Sequence, residues 1–284
     1  PQIILRTNAK GDLIWANKAL SGYEIYNGIK HYFYLEFDQD PLSVSSLDWE
    51  KICAKSISFD SSVKEIKVRY GISYISVEQA RKNLREEIAD FDLDRVAGQA
   101  KQEWNKALSK IVIDGGTEDQ KTVFYTSLYR AHERMINISE DGKYFSGYDG
   151  KVHEDGGVDF WVDDWVWDTY LALHPLQVLL NPKAQEQKLS SYIRMYEQSG
   201  WMSTFPCVFG DAHCMNGNHV AGVFVDALHK GLQFDVEKAF EGMRHTVMNE
   251  SMIPWYLGPK TELDDFYHEH GWFPALHPGE KEVF

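Results

Sequence analysis

The spacing of apolar residues changes its period at Ser76, and that change limits the architectures open to this chain. Up to Ser76 the repeat is two. In "GIKHYFYLEFD", Ile29, His31, Phe33, Leu35 and Phe37 alternate with Lys30, Tyr32, Tyr34 and Glu36; in "EIKVRYGISYI", Ile66, Val68, Tyr70, Ile72 and Tyr74 share one face. Such alternation predicts half-buried antiparallel strands, as in a sandwich, ending by about Ser76. Beyond Ser76 the repeat is helical. "SVEQ" reads as a capping box, Ser76 the cap and Gln79 reaching back, before a polar helix to about Ala89. A second helix is expected from about Asp94 to Ser109, with Ala97, Ala100, Trp104 and Leu108 on one stripe. After "IDGG" breaks the chain, "TEDQ" forms another box from Thr117 to Gln120, and Phe124, Leu128, Ala131 and Met135 recur at helical spacing. Further helices are expected at 164–180, 184–199, 218–231, 236–249 and 262–270. Strands, then linking helices, then helices joined by decorated loops make an α+β multidomain order, and the helical part suggests an α/α toroid.

Charge excludes one class of partner. The 29 Lys and Arg against 43 Asp and Glu leave a net charge of −14, and with 8 basic and 18 acidic residues from Gly156 onward, −10 of it sits there. Such a surface repels a phosphate backbone, so nucleic acid is not a partner. No window is apolar enough to span a membrane. Cys53, Cys207 and Cys214 form no paired framework, and "CVFGDAHC" reads as two buried thiols rather than a short disulfide. No GxGxxG, P-loop, GxSxG, HExxH or EF-hand pattern occurs.

Aromatic residues make up 14% of the chain, and they crowd where carboxylates do. "DFWVDDWVWDTYLALHPL" opens with Trp161, Trp165 and Trp167 among Asp159, Asp163, Asp164 and Asp168. Indoles offer flat apolar faces and carboxylates accept from hydroxyls, which together suit a sugar ring. Asp164 and Asp168 are four apart and would share a helix face. That spacing admits an acid/base pair, a metal site or a solvated first turn. Asp164 reads as the structural member of the two, and Asp168, flanked by Trp167 and Thr169, as the functional one. A second cluster, "GWMSTFPCVFGDAHCMNGNHVAGVFVDALHKG", puts Trp201, Phe205 and Phe209 before Asp211, His213, Asn216, Asn218 and His219. Asp211, His213 and His219 could be metal ligands, though their spacing matches no established motif; His219 and Asp226 could equally be satisfied core groups.

Taken in order, "VRYGISYISVEQARKNL", "FYTSLYRAHERM", "WDTYLALHPLQVLLNP", "GWMSTFPCVFGDAHCMNGNHV" and "DALHKGLQFD" resemble glycoside hydrolase family 92, the calcium-dependent exo-α-mannosidases of Bacteroides-type gut bacteria. The resemblance implies an N-terminal β-sandwich, a helical linker and an (α/α)6 barrel, and inverting hydrolysis of terminal α-mannosides with Ca2+ helping to distort the sugar. It makes a mannose-containing oligosaccharide the partner. It implies that Asp168, of the WDT motif, holds mannose hydroxyls beside Trp167, and that Phe205 or Trp201 borders the same site. Gly217 and His219 match the family's M-x-G-x-H pattern. Leu171 stands where the family usually has Arg, which puts that contact in doubt.

The family's general-acid motif, H-x-N-E-P, and its general-base segment, G-N-x-D, do not occur in residues 1–284. The expected helices after Thr117 are about half those of a full barrel. The resemblance therefore implies a piece of a longer enzyme: 1–76 as a β-sandwich portion, 77–113 as linker and 114–284 as the first half of the barrel. Such a piece on its own would be inactive and would associate through bare helix faces. A secreted, periplasmic or cell-surface location in a bacterium is likewise implied. Two other readings are a different (α/α)6 glycosidase, glucosidase- or trehalase-like, with its acid among Asp163, Asp164 and Asp168, and a non-catalytic carbohydrate-binding module.

Overall fold

The computed structural model describes every residue except 9, 50, 51, 216, 254 and 274–284. The chain divides into two compact units. The first comprises Pro1–Lys121, Glu140–Phe145 and Val152–Glu154, and the second takes the rest.

The first unit begins with seven strands, β1 (Gln2–Arg6), β2 (Gly11–Ala16), β3 (Ala19–Tyr26), β4 (Ile29–Phe37), β5 (Ser43–Trp49), β6 (Ile52–Ser58) and β7 (Val68–Ser73). They form two antiparallel sheets, in the orders β1-β6-β5 and β2-β3-β4-β7. Two-residue turns set the register of the larger sheet. Asn17 and Lys18 (φ 53° and 63°) join β2 to β3, and Asn27 and Gly28 (φ 48° and 80°) join β3 to β4. Positive φ at both central residues matches the right-handed twist of a hairpin. Leu13, Leu20, Ala54, Ile57 and Phe59 are buried, and the Phe37 ring meets Phe59 edge-on at 5.5 Å.

Helix α1 (Val77–Glu87) packs on the larger sheet, and α2 (Leu93–Leu108) follows in the same unit. The Ser76 side chain accepts from Gln79 N at 3.0 Å, but the Gln79 amide reaches Asn83 and Asp141 instead of returning to Ser76. Only half of the expected capping box forms. The Thr117–Gln120 box closes in both directions, at 2.9 and 3.2 Å. None of the residues of α2 is buried, the expected stripe included.

The expected inner face of β7 needs correction. Val68, Tyr70 and Ile72 point outward, with Tyr70 61% and Ile72 58% exposed, while Gly71 and Ser73 are buried. The reason is the approach of α1. A Cβ on Gly71 would lie 2.3 Å from the Ala80 carbonyl oxygen, so the helix rests on the small-residue side of the strand. Arg69, on that side, donates to Glu36 from Nε (3.0 Å) and Nη2 (2.5 Å), with Arg85 3.6 Å from the same carboxylate. Burial would raise the Glu36 carboxyl; Arg69 outweighs it and holds it below its ordinary value.

The second unit is mainly helical. Helix α3 (Glu118–Arg130) enters it and stops at Arg130, so Met135 is not on its stripe but buried beyond it. Six short paired strands follow along the chain, two of them (Lys143–Ser146 and Lys151–Glu154) mostly in the segments that belong to the first unit, contrary to the expectation that strands end by Ser76. They are β8 (Ile136–Asn137), β9 (Lys143–Ser146), β10 (Lys151–Glu154), β11 (Trp161–Val162), β12 (Pro206–Cys207) and β13 (Gly210–Asp211). Strands of two to four residues are too short to show a period. The expected helix 164–180 is broken at Tyr170–Ala172 into α4 (Val166–Thr169) and α5 (Leu173–Leu180). Helices α6 (Pro182–Ser199), α7 (His219–His229), α8 (Val236–Asn249) and α9 (Glu262–His270) fall near their expected bounds. Pro182 opens α6 and left-handed Gly200 closes it. Helix α5 packs on α6 and α7, and α6 on α8, around buried Leu189, Tyr192, Met195, Val223, Phe224 and Ala227. No helix among the described residues is long and apolar enough to cross a membrane.

Candidate functional site

The Trp- and Asp-rich segment sorts its side chains into two sets. Asp164, Val166 and Thr169 are buried, while Trp165, Trp167 and Asp168 are exposed. Asp164 lies before α4 rather than on it, so it does not share a helix face with Asp168. Its Oδ1 accepts from Thr169 Oγ1 at 2.8 Å, and its Oδ2 from Tyr192 OH at 2.7 Å. His174 Nε2 lies 2.7 Å from the same oxygen, with Gln185 on its other ring nitrogen at 2.9 Å. Burial pushes the Asp164 carboxyl up, but His174, Tyr192 and Thr169 together hold it below its ordinary value. A carboxylate with three partners and no exposed surface is out of a substrate's reach. Asp164 is therefore structural, and the glucosidase-like reading loses one of its three acids.

Asp163 has φ 63° and pairs with Arg134. The Arg134 guanidinium lies 4.5 Å over the Trp165 ring, which stacks on Phe205 at 6.0 Å and 27°. Burial raises the Asp163 carboxyl above its ordinary value, with Arg134 opposing. Phe205 thus joins an outward-facing stack with Trp165.

Trp167 belongs to a different group. Its ring meets His219 edge-on at 4.9 Å, and Tyr170 stacks on the same imidazole at 4.6 Å and 30°. Gly217 fits this packing because it has no side chain. Its φ is +153°, and a Cβ there would lie 2.5 Å from His219 Nε2. The structure therefore brings Trp167, Gly217 and His219 together, with exposed Asp168 next to Trp167 in the chain. Trp201 is placed elsewhere, with its ring 5.2 Å from His245 on α8. Leu171, in the family's Arg position, is exposed.

The loop from Thr204 to His213 is held by Asp211. Its carboxylate accepts from Thr204 N (2.7 Å), Phe205 N (2.9 Å) and His213 N (2.9 Å). Asp211 is thereby a loop staple. Among the described residues, no three His, Cys, Asp or Glu side chains are grouped to hold a metal ion, so the reading of Asp211, His213 and His219 as ligands is not met. Asn216 lies outside the described residues, Asn218 is the N-cap of α7 without a side-chain cap bond, and Asp226 pairs with Lys230 at 2.7 Å. All three cysteines are free thiols, and burial pushes Cys207 up to about 12.

Nothing in the sequence singles out Glu250. It ends α8, is 4% exposed, and its Oε1 has no hydrogen-bond partner. Burial, with Asp211 adding to it, pushes its carboxyl up to about 8. His213 Nδ1 lies 3.7 Å away and is also unpartnered. A lone Glu in "MNES" carries no periodic or motif signal.

Residues 79–283 match the model of the glycosyl hydrolase family 92 catalytic domain. The chain belongs to glycosyl hydrolase family 92. This family 92 chain is similar to a family 92 inverting mannosidase from Bacteroides thetaiotaomicron VPI-5482, with 28% identity and a TM-score of 0.84 over 96% of this chain and 40% of that one. It also shares its fold with a family 92 α-mannosidase from Bacteroides thetaiotaomicron, at 24% identity and a TM-score of 0.79 over 88% of this chain and 38% of that one. The family 92 chain thus spans about 40% of the length of these structures. None of the curated proteins matches it.

Proposed function

We propose that this chain is part of an inverting exo-α-mannosidase that removes terminal α-linked mannose from glycans such as N-glycans or mannans. The observation that carries the reading within the family is the outward pair Trp167 and Asp168, displayed by a segment whose inward residues are locked. Asp168 would accept from mannose hydroxyls and Trp167 would offer an apolar face, with Gly217 and His219 fixing the indole. Phe205, stacked on Trp165, would border the sugar; Trp201, on His245, supports that role less.

In this reading residues 1–76 are a portion of a β-sandwich, 77–113 a linker and 114–284 the first half of an (α/α)6 barrel. A general acid and a general base about 6.5–9.5 Å apart complete an inverting site. Four of the described carboxylates are engaged otherwise: Asp163 is bound to Arg134, Asp164 is buried among three partners, Asp211 staples a loop and Glu262 lies in the first turn of α9. The Ca2+ implied by the family has no cluster of His, Cys, Asp or Glu to hold it among the described residues, so the reading of Asp168 stands on its own geometry. A secreted, periplasmic or cell-surface location in a bacterium goes with this proposal.

The test is Asp168→Asn in the intact enzyme, assayed on p-nitrophenyl α-mannoside. Hydrogen bonds to a charged group contribute roughly 1.5–3 kcal/mol each, so kcat/KM should fall about ten- to several-hundred-fold with folding retained. Unchanged kinetics would make Asp168 a turn residue and no more.

A further inference from the structure

Arg134 sits where separate stretches of the second unit meet. Strands β8 and β11 pair antiparallel with Ile136 opposite Val162, so the residues just before β8 lie beside those just after β11. That register brings Arg134 to Asp163, whose φ of 63° is in the left-handed region that favours glycine, and Arg134 Nη1 donates to the Asp163 carboxylate. The same guanidinium lies 4.5 Å over the Trp165 ring, and Trp165 stacks on Phe205 at 6.0 Å. The backbone behind this side chain is fixed from the core. The Arg134 carbonyl oxygen accepts from buried Lys188 Nζ at 3.3 Å, and the Ala131 carbonyl oxygen accepts from Gln177 Nε2 at 2.8 Å. Helices α6 and α5 therefore hold the segment from which Arg134 reaches out.

The two side-chain contacts call for a planar cation. A guanidinium pairs with a carboxylate along its edge while offering a flat face to an indole. An ammonium can make the first contact but has no face for the second. The bond to Asp163 thus sets the plane on which the indole lies. Trp165 depends on such a hold. Its ring is 43% exposed, and α4, which it precedes, buries Val166 and Thr169 instead.

Phe205 is held in a different way. Its backbone is fixed without Arg134: its N donates to Asp211 Oδ1 at 2.9 Å, its carbonyl oxygen accepts from Ala212 N at 3.1 Å, and the next carbonyl, of Pro206, accepts from Asp164 N at 3.0 Å. Those bonds leave the direction of the half-buried ring open, and the stack on Trp165 closes it. Arg134 therefore acts on Phe205 through one indole.

We propose that Arg134 is a positioning residue of the mannosidase, which orients Trp165 and through it sets the Phe205 ring at the border of the sugar. The proposal rests on the mannosidase reading, which puts Phe205 beside the substrate. Arg134 affects the substrate only by way of the two rings.

The test is a double-mutant cycle in the intact enzyme, with kcat/KM on p-nitrophenyl α-mannoside as the readout and urea unfolding as the check on folding. Arg134→Ala should lower kcat/KM about three- to thirtyfold, the range that a cation–π contact corresponds to. Arg134→Lys, which keeps the charge and loses the plane, should regain no more than about twofold of that loss. In a Phe205→Ala background, Arg134→Ala should change kcat/KM by less than about twofold, because the ring it positions is gone. Additive losses would mark Arg134 as a structural residue only, and full rescue by Arg134→Lys would mean that charge matters and the stack does not; either overturns the proposal. If Arg134→Ala does not fold, Arg134→Lys against Phe205→Ala closes the same cycle with the same expected non-additivity. Inert Phe205→Ala beside a crippled Asp168→Asn would remove this proposal and leave the mannosidase reading standing. Inert Phe205→Ala and inert Asp168→Asn together would remove both.

Discussion

Glu250 ties stability to pH, and the size of the effect can be worked out. Its carboxyl rises from an ordinary 4.5 to about 8 on folding. The folded state therefore binds more protons than the unfolded state between those values. The neutral group's stabilisation is fully present below the unfolded value and is lost as pH rises through the folded one. Between about pH 5 and pH 8 the loss amounts to about 3.5 kcal/mol, at 1.36 kcal/mol for each pKa unit. Asp211 adds to the effect, and His213 and His268 are the other ionisable groups at hand besides Tyr267. Glu250→Gln keeps the shape and cannot ionise, so its stability should lack this slope. Melting curves of both proteins across this range should coincide near pH 5 and separate toward pH 8, with the variant higher by about 7–14 °C for a body of this size. Parallel curves would refute the reasoning. They would mean that Glu250 is already ionised and paired when the protein is folded.

Removing the Asp164 carboxylate (Asp164→Ala) strands His174, Tyr192 and Thr169 in the core and should cost about 3–5 kcal/mol, read from urea unfolding. Because its folded value is lowered, this stabilisation is present above the unfolded Asp range and fades as pH falls; an unaffected midpoint would mean that the cluster relaxes freely. Gly71→Ala places a methyl 2.3 Å from Ala80 O and should cost about 1–3 kcal/mol, lifting α1 and lowering hydrogen-exchange protection of its amides. Unchanged protection in α1 would show that the sheet yields instead.

Long, strongly periodic elements were legible in the sequence. Strand β4 and helices α1, α6, α7 and α8 lie where alternation and helical spacing put them. What the spacing could not show was which side of β7 a helix would cover. Alternation marks two faces without saying which neighbour takes each, and the close approach at Gly71 reversed the expected choice. In 164–180 apolar periodicity continued through a break that Tyr170–Ala172 makes, because buried Asp164 and His174 fix the backbone there more strongly than helix propensity does. For the candidate site, the crowding of Trp and Asp singled out one segment, and Trp167 and Gly217 both pack against His219. Asp164 read correctly as structural, while its partners, 5, 10 and 28 residues away, have no common spacing. Glu250 was invisible because only tertiary packing makes an ordinary helix-ending Glu into a buried acid.

The split of the Asp164 segment into inward and outward side chains separates what holds it from what it displays. Asp164, Val166 and Thr169 set the path of the backbone, and their partners lie wholly inside the second unit. Trp165, Trp167 and Asp168 project from that path and carry little of its support. Selection can therefore trade one displayed residue for another, and so alter what the surface recognises, without disturbing the anchor. The anchor has no such freedom: a change at Asp164 must be matched at once by His174, Tyr192 and Thr169.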